Sequence, residues 1–215
     1  MKKINKTRYL AVFSIVTFIF LGGVILGQII SENKVSEIVK TQKELRTYLL
    51  SLDLQTVLAS EYICDIDIFE LTEEKTNLGQ EIEFLEEKLG KDNSDIIGLK
   101  QEYSLLSIRQ WLLLERAKKE CNKKLITIIF FYSNKENASI SESQGYILDY
   151  LYKEKYPKHL VIYALDVNID DPALNTLKTI YGVTRAPSVV IDGKLYDGFI
   201  EKDELESIIN EKLSE

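Results

Sequence analysis

Thiol chemistry is the first reaction class to weigh, because Cys64 and Cys121 are the chain's two cysteines and no Cys-x-x-Cys joins them. A working redox pair needs a stabilised thiolate. Lys118, Lys119, Lys123 and Lys124 flank Cys121 and favour one, whereas Asp65 and Asp67 beside Cys64 oppose it. A structural disulfide, two unpaired thiols and a redox couple therefore all stay open. Hydroxyl chemistry has less to stand on. Ser139 has no evident base, and the single histidine, His159, follows Pro157 at the start of an apolar run. Asp166, Asp170 and Asp171 form an acidic group, but Asp171 precedes Pro172 and reads as a helix N-cap, and no metal-ligand spacing accompanies it. No cofactor motif is present. Asn137-Ala138-Ser139 is a glycosylation sequon.

The elements that would place the cysteines are helices. No proline occurs before Pro157, and apolar residues recur at 3–4 spacing. Val35, Ile38, Leu45, Leu49 and Leu52, with Gln42 in the remaining heptad slot, predict a first helix running to about Tyr62. Leu71, Leu78, Ile82, Leu85 and Leu89 predict a second from about Asp67, stopped by Gly90. Leu99, Tyr103, Leu106 and Leu113 predict a third over Asp95–Glu120, with Trp111 as a packing anchor. Glu81, Glu83, Glu86 and Glu87 read as a solvated acidic face. The heptad runs are short, so intramolecular packing is favoured over a coiled coil with a partner. If the three helices run up, down and up, Cys64 and Cys121 meet at one pole, where a disulfide is geometrically feasible.

The N-terminus bears on compartment. Tyr9 to Ile30 carries no charge and follows Lys2, Lys3, Lys6 and Arg8. The spacing predicts a single-pass signal anchor at 9–30, a cytoplasmic 1–8 and an extracytoplasmic remainder, because a span takes about 20 apolar residues and the cation-rich flank stays inside. Gly23 and Gly27 form a G-x-x-x-G that would suit a homodimer. The net charge of −7 supplies no basic stripe for nucleic acid.

Beyond Leu125 the pattern changes. Leu125–Tyr132 and Leu160–Asp166 read as buried strands, and helices are expected over Ser141–Tyr156 and from Pro172 to Tyr181. Ser188–Ile191 and Leu195–Phe199 flank Asp192-Gly193, a hairpin signal, and Leu205, Ile208, Ile209 and Leu213 mark a last amphipathic helix. The order β-α-β-α-β-β-α predicts an α/β domain, a central mixed sheet with helices on both faces.

Residues 125–213 resemble a thioredoxin-like domain, best over Tyr181–Gly198, where that family has a helix, a loop, a cis-proline and a hairpin. The resemblance implies that Ala186-Pro187 is the cis-proline dipeptide and that the backbone before it holds an extended peptide. It also implies that the catalytic Cys-x-x-Cys position falls on Glu136-Asn137-Ala138-Ser139, which holds no thiol, and that the family's buried acid falls on Phe130. The expectation is a helical stalk over 31–121 and a thioredoxin-like domain over 122–215. The expected role is non-catalytic binding of a peptide or protein by Ala186, Pro187, Glu136, Asn137, Ala138 and Ser139. A thiol–disulfide oxidoreductase using Cys64 and Cys121, and a purely structural spacer, are the alternatives.

Overall fold

The computed structural model describes residues 6–214, with the side chains of 6–9, 11, 12, 26–39 and 42 outside the description. The chain divides into two compact units, Met1–Leu45 and Arg46–Glu215. Helix α1 (Lys6–Glu61) contributes to both.

In the first unit, Leu10, Phe13, Phe18, Ile19 and Ile25 are exposed apolar side chains, and Ser14 and Thr17 return their hydroxyls to Leu10 O and Phe13 O. No helix among the described residues is long and apolar enough to cross a membrane. The expected transmembrane signal anchor at 9–30 is therefore withdrawn. Lys2 and Lys3 lie outside the described residues, and Gly27 is described only as part of the α1 backbone, so the Gly23–Gly27 pairing and much of the cationic flank lie outside the description. The side chains of Val35, Ile38 and Gln42 lie outside as well.

The second unit begins with the rest of α1, whose stripe of Leu49, Leu52, Thr56 and Ala59 is buried. Helix α2 (Ile68–Leu89) starts where the Asp67 carboxylate accepts from Phe69 N–H, and ends at Gly90, whose φ of 94° suits a residue without Cβ. Helix α3 (Ser94–Cys121) is capped by Asn93, which accepts from the Asp95 and Ile96 amides, and stops at a left-handed Asn122. Arg46 pairs with Glu102, Asp53 with Arg109 and Thr56 with Gln110, in ascending order along both helices. Helices α1 and α3 therefore run parallel and α2 is the return. Cys64 and Cys121 close the far end as a disulfide, their Cα atoms 5.3 Å apart.

The sheet has the order β2-β1-β3-β4. Strand β1 (Ile126–Tyr132) is parallel to β2 (Leu160–Asp166) and antiparallel to β3 (Ser188–Ile191), which turns through Asp192-Gly193 into β4 (Lys194–Asp197). Asp192 and Gly193 have φ of 44° and 85°, the left-handed pair that matches a two-residue hairpin to strand twist. Strand β1 is rich in β-branched and aromatic residues, Thr127 its one short polar side chain, because both its faces are covered. Ile126, Ile128 and Phe130 pack with Leu148, Leu151, Leu205 and Ile209, from α4 (Ala138–Tyr150), the π-helical turn Leu151–Lys155 that follows it, and α6 (Lys202–Ser214). Ile129 and Phe131 pack with Leu174 and Leu177 of α5 (Pro172–Tyr181) and with Trp111 of α3, which meets Tyr181 edge-on at 6.1 Å.

Helices α2 and α3 share this interior. Ile68, Leu114 and Ala117 join Leu125, Val161 and Tyr163 in one cluster, so the helices expected to form a stalk lie against the sheet. The Ile126 amide donates to His159 O. By the alternation of a parallel ladder, the even-numbered residues of β2 turn their backbone groups toward the sheet's outer edge. There the Lys75 ammonium of α2 reaches Ile162 O at 3.0 Å, and α2 covers the edge.

Candidate functional site

The carboxyl end of β1 feeds a loop, Ser133–Asn137, that turns into α4. Ser133 anchors it: its amide donates to Ser141 Oγ, and its own hydroxyl accepts from the Lys135 amide and from Asn168 Nδ2. Asn137 has φ of 56° and gives α4 no side-chain cap. Its amide group instead reaches Ala186 O at 3.4 Å. Asn137 is thus brought beside Ala186, from a segment far away in sequence, with Glu136, Ala138 and Ser139 its neighbours along the chain. The Ala186–Pro187 bond is cis. Because Phe131 pairs with Ser188, the dipeptide sits at the same end of β1 as the loop. Arg185 Nε binds Asp197 Oδ2 at 2.9 Å, and Ser188 Oγ lies 2.9 Å from both Asp197 Oδ1 and Arg185 O. Burial pushes the Asp197 carboxyl up, but the Arg185 and Ser188 hydrogen bonds outweigh it and hold the carboxyl below its ordinary value.

Beneath the loop lies a polar network that tethers it to the helices. Lys100 Nζ contacts Asp166 Oδ2 at 2.8 Å and Glu86 Oε1 at 3.0 Å, all three side chains nearly out of solvent. Asn134 Nδ2 donates to the same Glu86 oxygen at 2.9 Å, and Asn168 closes on Asp166 Oδ1 from both its backbone and its side chain. Lys100 also stands 5.5 Å from the Tyr132 ring centroid. Burial first, and then the Asp166 and Glu86 charges, push the Tyr132 hydroxyl well above its ordinary value, so it stays protonated. This arrangement holds a loop in place. It offers neither an activated nucleophile nor an open coordination position.

The other expected residues lie elsewhere. The disulfide closes the pole at the amino end of β1, whereas Pro187 lies at its carboxyl end, about 23 Å away along seven residues of strand. His159 sits at that amino end too, remote from Ser139. Phe130, at the position of the family's acid, is an ordinary buried core residue. Asp171 is the N-cap of α5, accepting from the Ala173 and Leu174 amides, and Asp170 accepts from Asn175. Among the described residues no group of acidic, histidine or cysteine side chains is placed to hold a metal ion.

Three residues escaped the sequence reading. The acidic run places Glu86 on a solvated face, yet its side chain is nearly buried and accepts from Asn134. Lys100 and Lys75 are buried cations. The signal for Lys75 is positional: it stands on the α2 stripe between Leu71 and Leu78, where a charge can be retained only by finding an acceptor.

No family model matches the chain, and no curated protein matches it. Among solved structures, one described as "Structure of a malarial protein" aligns with 41% of this chain and 98% of its own length, at 19% identity and a TM-score of 0.32, a likeness that carries no argument about fold or function.

Proposed function

We propose that this chain is a non-catalytic, thioredoxin-like binding protein whose Ala186-Pro187 loop and facing 133–139 loop hold an extended peptide or protein segment by backbone pairing. The observation that carries the proposal is Asn137 of the 133–139 loop set against Ala186 O at a corner that holds no thiol. The exposed Thr184 and Arg185 lead into the buried dipeptide beside a short antiparallel hairpin, a setting in which a strand can add. The buried Lys100–Glu86–Asp166 network supports the reading by fixing the loop from below, which lowers the ordering cost of binding. The disulfide supports placement in an oxidising compartment, outside the cytoplasm.

The test is a random-sequence peptide pool titrated into the ¹⁵N-labelled chain. Binding that perturbs the amides of residues 133–139 and 184–188 supports the proposal. Binding that perturbs only the Cys64–Cys121 end, together with oxidation of a dithiol peptide to its disulfide that is lost on Cys121→Ser, would establish the oxidoreductase alternative. A pool that moves no amide at the corner removes the peptide-binding role.

A further inference from the structure

The outer face of the α1–α3 pair is apolar where a helix against solvent should be polar. Along α1, Leu45, Leu49, Leu52, Thr56 and Ala59 form the buried stripe, so the aliphatic residues between them point away from the core. Leu50, Leu54, Val57 and Leu58 do so, with exposures of 61, 56, 45 and 67%. The Arg46–Glu102 and Asp53–Arg109 pairs set the register of the two parallel helices. That register puts Leu105 of α3 level with Leu50, and Leu112 level with Val57, both also exposed. The six side chains present roughly 600 Å² of apolar surface, at the upper limit of the largest patch on an ordinary monomer.

We infer that this face is the interface of a symmetric homodimer in which two copies of the α1–α3 pair pack together. Two features argue for a second copy. The first is charge. The chain carries a net −7, yet the charges bordering the face are largely paired, as Arg46–Glu102, Asp53–Arg109 and Arg116–Glu120, and the exposed Glu61 and Lys119 near its disulfide end are of opposite sign. Two acidic molecules meet with least repulsion across this neutral strip. The second is size. Burying the face on both copies, with its rim of paired charges, removes about 1,200–1,500 Å² from water, within the range of a specific two-fold interface. The Asp53–Arg109 pair at the centre is self-complementary under a two-fold axis, since each partner presents both signs to the other.

Sedimentation velocity of the full-length chain, from about 1 to about 100 µM, tests this. The native chain is expected to form a dimer. Leu54→Lys and Leu112→Lys, each at an exposed position, are expected to weaken it by about 100-fold, while Ile180→Lys, an equally exposed apolar site on α5, leaves it intact. Unchanged thermal unfolding of each variant separates loss of assembly from loss of fold. A native chain that stays monomeric throughout overturns the inference. So does an oligomer that survives both Leu54→Lys and Leu112→Lys.

Discussion

Lys75 gives the fold a dependence on pH that a single substitution should abolish. Its ammonium is fully buried, its polar partner is Ile162 O, and it lies 4.3 Å from the Tyr163 ring centroid and 5.8 Å from that of Tyr103. Neither ring supplies a counter-charge, because burial raises the Tyr103 hydroxyl to about 12 and pushes Tyr163 well above its ordinary value. Burial lowers Lys75 from 10.5 to about 7. Below pH 7 both the folded and unfolded chains carry the proton, and the folded chain bears the full cost of a buried charge, about 5 kcal/mol at 1.4 kcal/mol per pH unit. Between pH 7 and 10.5 the unfolded chain binds more protons than the folded one, so stability rises with pH. From pH 7 to 9 this group alone should add about 2 kcal/mol. Lys75→Met keeps the packing volume but leaves Ile162 O unpartnered, at about 1–3 kcal/mol whatever the pH. The variant should gain stability relative to native at pH 6–7, and that advantage should shrink by about 2 kcal/mol by pH 9. Urea denaturation of both proteins at pH 6, 7, 8 and 9 reads the difference directly. Parallel stability profiles for the two proteins would refute the reasoning.

Other perturbations probe the remaining supports. Replacing both Cys64 and Cys121 by serine opens a loop of 57 residues and should lower stability by about 4 kcal/mol, seen as a drop in urea midpoint that reductant no longer changes. Lys100→Met leaves Glu86 and Asp166 buried without their cation and should cost about 3–5 kcal/mol, with faster amide exchange in the Ser133–Asn137 loop because Asn134 shares the Glu86 oxygen. Asp171→Ala should cost about 1 kcal/mol in thermal or urea unfolding. Burial pushes the Asp171 carboxyl up, but donors from Gln101, Leu174 and Ala173 outweigh it and hold it below its ordinary value. Its contribution is therefore present above the unfolded carboxyl's pKa and lost as pH falls through the folded one; acid unfolding of the variant should lack that component.

How much of this was readable depends on what kind of signal each residue emits. Asp171 before Pro172, Gly90 after Leu89 and Asp192-Gly193 between two apolar runs are local signals, because backbone geometry at one position decides which residue fits there. The meeting of Cys64 with Cys121 was readable from helix lengths, since an out-and-back excursion of two similar helices returns the chain to its starting pole. The uncharged run at 9–30 predicts a span, whereas no helix among the described residues is long and apolar enough to cross a membrane. The 31–121 segment misled because a stripe on a helix shows that a face is buried but not against what, and α2 and α3 bury theirs partly on β2 and β1. Glu86, Lys100 and Asp166 were invisible singly. Each looks like a surface charge, and only the fold brings them within 3.0 Å of one another through the lysine. At the corner, the neighbourhood of Asn137 and Ala186 is non-local in the same way.

The covered edge of β2 limits how this sheet can join others. An open-ended cross-strand assembly needs two free edges per molecule, one to receive a neighbour and one to pass the pairing on. Here α2 and the Lys75 contact to Ile162 O close one side, leaving β4, four residues long, as the other margin of the sheet. Two molecules can meet β4 to β4, and the chain of pairing then ends, because each has spent its one open margin. Edge-to-edge contact between native molecules therefore terminates at a pair, and fibril growth requires α2 to leave the sheet first.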